Sequence, residues 1–282
     1  PPSWAGLCSW PCSPGSAETA KSRLFAAKRA WHDAEVMNPF AHFILTRFNV
    51  PLKSVPASAP SGLDEAWLAR RFHLFERVCL PSVDQQTEGA FQWLVFMDWA
   101  TPVAFKEKMA ALCVHYDCLR PVYCSQFDEA TALAEIRRRE APEKVRITTG
   151  LDNDDALHPR MVEHVQELAR ARLGAVDLAK GFFISFPLGC CECQGRFYLV
   201  RDKANPFVSF VSAPECPATV VGADPANLGK LAPVVYRSAR PLWCQTIHPD
   251  NVSNHRRGLY WPGGRQSAFA YLGNQPAAAS DG

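Results

Sequence analysis

Between residues 43 and 173 the chain alternates short apolar runs with longer stretches of helical spacing, and that rhythm constrains its fold more than any other feature. Residues 43–48 form an apolar run of strand length, followed by a Pro- and Ser-rich loop over 51–60. Asp64 can then cap a helix in which Trp67, Leu68, Phe72, Phe75, Val78 and Cys79 recur at helical spacing. The pattern predicts strands over 91–97 (ending at Asp98), 119–124 and 145–149. Helices are predicted between and after them, over 102–116, 128–140 and 158–173. Such regular alternation argues for an α/β fold with a mainly parallel sheet covered on both faces. After Gly181 the texture changes. Short strands over 182–186, 196–200, 207–211, 234–236 and 243–247, separated by turn residues, predict a mixed or antiparallel half.

Of the 282 residues, 48% are hydrophobic and 21% charged, which suits a folded chain with a large core. Thirty basic side chains against 28 acidic ones leave +2, too little for a nucleic-acid footprint or an electrostatic membrane anchor. Arg137, Arg138 and Arg139 read as a solvated helix face. No apolar stretch reaches the roughly 20 residues of a membrane span, and no secretory signal is visible. The 11 cysteines are odd in number in a chain with ample core, so reduced thiols and a cytoplasmic setting are expected. Cys190, Cys191 and Cys193 lack a second pair at zinc-site spacing. Cys113, Cys118 and Cys124 read as small core hydrophobes. Residues 1–36 read as a leader or extension with a short helix, and Met37 as a candidate start. Residues 266–282 read as a loose tail.

Chemistry concentrates at strand ends. In open α/β sheets ligands bind outside the carboxyl ends of the strands. Asp98 and the run Leu151-Asp152-Asn153-Asp154-Asp155 both fall there. Asp152 and Asp154 would share a side in an extended segment. Three carboxylates so close repel one another unless they are solvated or neutralised by a cation. Hard oxygen donors of this kind suit Mn²⁺ or Mg²⁺. The alternative is a polar loop capping the next helix, with Asp155 near its N-terminus.

Three segments occur in order: Leu80-Pro81-Ser82-Val83-Asp84-Gln85-Gln86-Thr87, then Phe91 through Asp98, then Leu151 through Pro159. Together they resemble family 2 glycosyltransferases. The likeness is closer still to the putative rhamnosyltransferase family of bacteria, through His42 to Asn49, Asn205-Pro206-Phe207, Trp243 to His248, and Asn251-Val252-Ser253-Asn254. The resemblance spans roughly residue 40 to residue 258. It implies one GT-A-like domain over 37–265, with a nucleotide-sugar-binding half (37–175) and an acceptor half (176–265). It implies that Thr46, Arg47, Asn49, Asp98 and Asp152 face the nucleotide sugar. Asp152, Asp154 and a late His248 would hold Mn²⁺ or Mg²⁺.

The activity it implies is metal-dependent transfer of a hexosyl or deoxyhexosyl group, rhamnosyl among them. The donor would be a nucleotide sugar and the acceptor a glycan or lipid-linked glycan, compatible with peripheral membrane association and with no nucleic-acid partner. The catalytic base is open, with Asp155 and His248 as candidates and Asp177, Asp202 and Glu215 further downstream. Gly150 departs from the pattern, since an Arg is expected before the Leu-Asp-Asn-Asp-Asp run. A catalytically degenerate sugar-nucleotide- or glycan-binding protein is the competing reading, and a metal-dependent phosphoesterase or nucleotidyltransferase a third.

Overall fold

A computed structural model describes residues 38–51, 63–141, 143–237, 240–249, 251 and 254–274. The expected leader and Met37, most of the 51–60 loop, Val252 and Ser253, and the tail beyond residue 274 lie outside the described residues. Residues from Pro39 onward form one compact unit.

The alternating region folds as its pattern predicts. β1 (Phe40–Arg47) leads to helix α1 (Glu65–Leu74), a π-helical turn (Phe75–Cys79) and α2 (Leu80–Asp84). The Asp64 carboxylate accepts from the Trp67 N–H at 2.7 Å and caps α1. β2 (Gln92–Asp98), α3 (Val103–His115), β3 (Leu119–Cys124), α4 (Glu129–Arg137) and β4 (Val145–Gly150) follow. β5 (Ala156–Leu157) and α5 (Met161–Arg170) complete this half.

β1 through β4 are parallel in the spatial order β3-β2-β1-β4. The chain winds outward from β1 to β3, then returns to the other side of β1. That reversal creates a switch point between β1 and β4, where a ligand crevice opens. Side chains of β1 alternate: Ile44 packs with Phe72, Phe75 and Trp93, while Phe43 and Leu45 pack with Leu94, Phe96 and Ile136 on the opposite face. Both faces of the sheet are thus buried, which explains the unbroken apolar runs.

The second half adds β6 (Phe182–Ser185), β9 (Ser209–Ser212) and β10 (Val234–Tyr236) beyond β4, completing a seven-stranded mixed sheet. β7 (Leu188–Cys193), β8 (Arg196–Arg201), β11 (Trp243–Ile247) and β12 (Leu259–Tyr260) join β5 in a second sheet, ordered β12-β8-β7-β11-β5. β7 escaped the sequence reading because its residues are Gly and Cys rather than branched apolars. Cys190 and Cys191 are fully buried strand residues. Gly189 is required there, since a Cβ would lie 2.1 Å from the Trp243 indole. Part of the expected loose tail is packed: residues 262–274 form 3-10 turns, and Phe269 and Leu272 are buried. Among the described residues no helix is long and apolar enough to cross a membrane.

His42 belongs to this scaffold. Its Nε2 lies 2.8 Å from Thr149 Oγ1 on β4, and burial pushes the imidazole down to about 3. In the unfolded chain it titrates near 6.5, so below that pH the unfolded state takes up a proton that the folded state refuses. Stability therefore falls as pH drops from 6.5 toward 3 on account of this group. Urea unfolding at pH 7 and pH 5 is expected to show a smaller acid-side loss for His42→Gln than for the wild type.

Candidate active site

The acidic run is the passage from one sheet to the other. β4 ends at Gly150 in the first sheet, and β5 begins at Ala156 in the second, where it pairs with β11. The intervening backbone is fastened on both sides. Leu151 N–H donates to Leu45 O (3.1 Å), and the Asn153 amide donates to Phe48 O (2.8 Å). On the second sheet, Thr246 N–H donates to Asp155 Oδ1 (2.9 Å) and its hydroxyl to Asp154 O (2.5 Å).

The three carboxylates meet three different environments. Asp155 is fully buried; burial first, then the charges of Asp154 and Asp152, push its carboxyl well above the usual range. Its Oδ2 has no partner among the described residues. Asp154 is buried too, but the hydrogen bond from His248 and the charge of Arg71 overcome burial and hold it below the usual range. Its Oδ2 accepts from Arg71 Nη1 (2.5 Å), lies 2.9 Å from His248 Nε2 and is 3.4 Å from the Asn251 amide. Asp152 keeps access to solvent at the crevice and accepts no side-chain hydrogen bond among the described residues. The protein enclosing it, then the charge of Asp154, push its carboxyl up to about 6. Repulsion along the run is thus offset at Asp154 by a guanidinium.

The other predicted residues divide into two groups. Arg47 and Asp152 line one cavity of about 180 Å³ with Leu45, Phe127, Gly150 and Pro206 at the β1–β4 switch point. Thr46 and Asn49 are braces. Thr46 Oγ1 accepts from the Trp93 indole (2.8 Å), and Asn49 ties its loop to Asp98 N–H (3.0 Å) and Thr101 Oγ1 (2.9 Å). Asp98 stands at the neighbouring β2 end, where it accepts from Ala100 N–H (2.7 Å). Gly150 has a local reason: a Cβ would lie 3.0 Å from Pro206 O, so a side chain requires that segment to give way.

His248 follows β11 and points its Nε2 at Asp154; its Nδ1 is buried without a partner. An ionised Asp154 can only accept, so Nε2 donates to it when it carries the proton, and the Asn251 amide nitrogen lies 3.1 Å from the same ring nitrogen. Of the downstream carboxylates, Asp202 is paired with Arg257 (2.6 Å), while Asp177 takes the Ala179 N–H in a turn. Glu215 is exposed on a loop.

Arg71 is the residue sequence reasoning missed. It lies three residues after Leu68 and four before Phe75, at the edge of the buried stripe of α1, and that position was the available signal. It also packs over Trp67, with 5.2 Å from Cζ to the ring centroid.

A model of the family described as putative rhamnosyl transferase matches residues 39–259. The chain belongs to that family. No curated protein matches it. Solved structures similar to it include S. aureus TarS 1–349 in complex with UDP-GlcNAc, at 9% identity and a TM-score of 0.46 over 77% of this chain and 61% of that one. The same protein in complex with UDP matches at 9% identity and a TM-score of 0.44, over 74% and 61%. A putative nucleotide-diphospho-sugar transferase from Desulfovibrio desulfuricans matches at 13% identity and a TM-score of 0.39, over 84% of this chain and 94% of that one. The chain spans about three fifths of the TarS chains it matches.

The expected metal set can be tested against this geometry. Asp152, Asp154 and His248 are not arranged as a ligand set, and no group of three or more His, Cys, Asp or Glu side chains among the described residues is. Asp154 Oδ2, one of its two carboxylate oxygens, is already taken by Arg71 and His248. As placed, Asp152, Asp154 and His248 do not form a three-ligand site for a divalent ion.

Removing Asp154 strands a guanidinium whose side chain is only 12% exposed. Asp154→Ala is expected to cost about 3–5 kcal/mol in denaturant unfolding. Asp152→Ala is expected to stay within about 0.5 kcal/mol, because no partner is lost.

Proposed function

We propose that this chain is a glycosyltransferase that moves a hexosyl or deoxyhexosyl group from a nucleotide-sugar donor to a glycan or lipid-linked glycan acceptor. One observation carries the reading: a cationic side chain, Arg47, and an accessible carboxylate, Asp152, line one cavity at the switch point of a doubly wound sheet. Family membership supports the same class of chemistry.

In the transfer, the bond from the anomeric carbon to the diphosphate oxygen breaks and a bond from that carbon to the acceptor hydroxyl forms. The electron pair leaves with the diphosphate, and the hydroxyl proton must go to a base. Arg47 offers a planar fork to the departing diphosphate. Asp152, which accepts and does not donate when ionised, suits the hydroxyls of the donor ribose or sugar. The cavity of about 180 Å³ between Arg47, Phe127 and Pro206 would take part of the nucleoside.

Between the two base candidates the reading assigns proton transfer to His248. Asp155 is sealed in the core and accepts from Thr246, whereas the His248 side chain is 13% exposed and stands against Asp154, whose charge would stabilise the imidazolium formed on proton uptake. A divalent ion would supply Lewis-acid stabilisation of the diphosphate, but no step is assigned to one here.

Radiolabelled UDP-, GDP- and dTDP-hexoses and deoxyhexoses, offered with a panel of glycan and lipid-linked acceptors, test the proposal. Acceptor-dependent release of nucleoside diphosphate is the expected result, with His248→Asn lowering kcat about 100-fold at little change in KM. Binding of nucleotide sugar with no turnover on any acceptor would instead indicate a binding protein, and no binding at all would overturn both readings.

A further inference from the structure

The acidic run of this family member sits beside a cation that the chain itself supplies. The Arg71 guanidinium reaches Asp154 Oδ2 at 2.5 Å and Asn153 Oδ1 at 3.4 Å, and its side chain is 12% exposed. α1 delivers it from the stripe that includes Leu68 and Phe72, so its position is fixed by the core rather than by solvent. Trp67 one turn earlier covers the other face of the guanidinium at 5.2 Å. On the far side of Asp154, His248 approaches at 2.9 Å and the Asn251 amide at 3.4 Å, both anchored by the β11 end. One oxygen of the carboxylate, Oδ2, is thus shared by Arg71, His248 and the Asn251 amide, and Arg71 gives the site a built-in positive charge.

We infer that Arg71 is the resident counter-cation of this site, and that the chain binds a nucleoside diphosphate without a divalent metal. The inference rests on the proposed nucleotide-sugar function for its ligand, but its metal arm does not. A diphosphate approaching Asp152 and Asp154 would meet a repulsive field unless a positive charge lay among them. Arg71 provides that charge permanently, because a guanidinium cannot be deprotonated in a protein. Arg71 is therefore a positioning residue. It neutralises the run and fixes Asp154, which in turn orients His248, while Arg47 is left to face the phosphates.

Two consequences separate this arrangement from a metal site. The intact chain should ignore divalent ions, and removing the guanidinium should create an appetite for them, since the charge of Asp152 and Asp154 then lacks its built-in counter-cation. Electron paramagnetic resonance of Mn²⁺ titrated with the full chain, with and without UDP, reads the first. Calorimetry with UDP, GDP and dTDP, in EDTA and then in Mn²⁺, reads the second.

For the wild type, the free-Mn²⁺ signal is expected to fall no further than UDP alone lowers it, together with nucleoside diphosphate affinity unchanged within about twofold between EDTA and Mn²⁺. Arg71→Ala should bind the diphosphate at least tenfold more weakly in EDTA and recover most of that loss in Mn²⁺, with uptake of the ion. Arg71→Gln serves as the second variant, and circular dichroism checks the fold of each. Stoichiometric Mn²⁺ binding by the wild type, alone or with UDP, would overturn the inference, as would wild-type diphosphate binding that EDTA abolishes. If none of the three diphosphates binds under any condition, the proposed function fails, while the Mn²⁺ signal still decides the metal question.

Discussion

The structure depends on a crossing of five residues. Leu151 to Asp155 leaves the first sheet beside β1 and enters the second beside β11, and each side holds it by one hydrogen bond to its backbone and one to a side chain. A segment so fastened cannot move its side chains independently. Each carboxylate takes the environment that its step along the crossing dictates. Asp155 faces the second sheet and goes into the core, Asp154 faces α1 and the β11 end, and Asp152 faces the crevice. One acidic motif therefore yields a buried carboxyl, a paired anion and an accessible carboxylate. The difference between the three is burial and partners, since their intrinsic acidities are the same.

Ion pairs this far from water are not in themselves a source of stability. Desolvating Asp154 and Arg71 costs as much as their attraction returns, and a well-packed apolar pair would serve the fold equally well. What the pair supplies is definition. α1 approaches β4 across the β1 loop, and the guanidinium fixes that approach to a particular carboxylate oxygen. His248 is then oriented by the same carboxylate oxygen. The π-helical turn Phe75–Cys79 begins about one helical turn after Arg71 and brings the Cys79 thiol within 3.5 Å of Asp152 O. Irregular helix, buried pair and crossing strand are thus one assembly, and irregularity of this kind collects at functional sites.

The fold was legible wherever burial acted on both faces of an element. β1 to β4 read as apolar runs of strand length because helices cover the sheet on both sides, and the helices between them read from their apolar stripes. β7 was not legible. Gly189, Cys190 and Cys191 have little strand propensity, and what makes them a strand is the Trp243 indole, 54 residues later in the sequence (243 − 189), lying against Gly189. The buried Phe269 and Leu272 were hidden for a related reason. Two apolar side chains in a stretch of Ala, Gly and Ser give no periodicity, and their burial is decided by the second sheet they land on.

The site was legible as a location and much less so as an arrangement. Strand ends and the reversal of strand order put Arg47 and Asp152 together, and a motif read along the chain captures that. The same motif reads Thr46 and Asn49 as ligand residues, yet their side chains are committed to Trp93 and to the Asp98 loop. A sequence pattern does not distinguish a residue that touches the ligand from one that holds the loop that does. Nor does it report charge balance in space. Three aspartates written side by side invite a cation, and the linear sequence gives no reason to choose an ion from solution over a guanidinium 83 residues away (154 − 71). The choice is made by α1, whose buried stripe leaves Arg71 at its edge with Asp154 as the nearest anion. The motif raises the demand for positive charge, and the core packing of a helix outside the motif meets it.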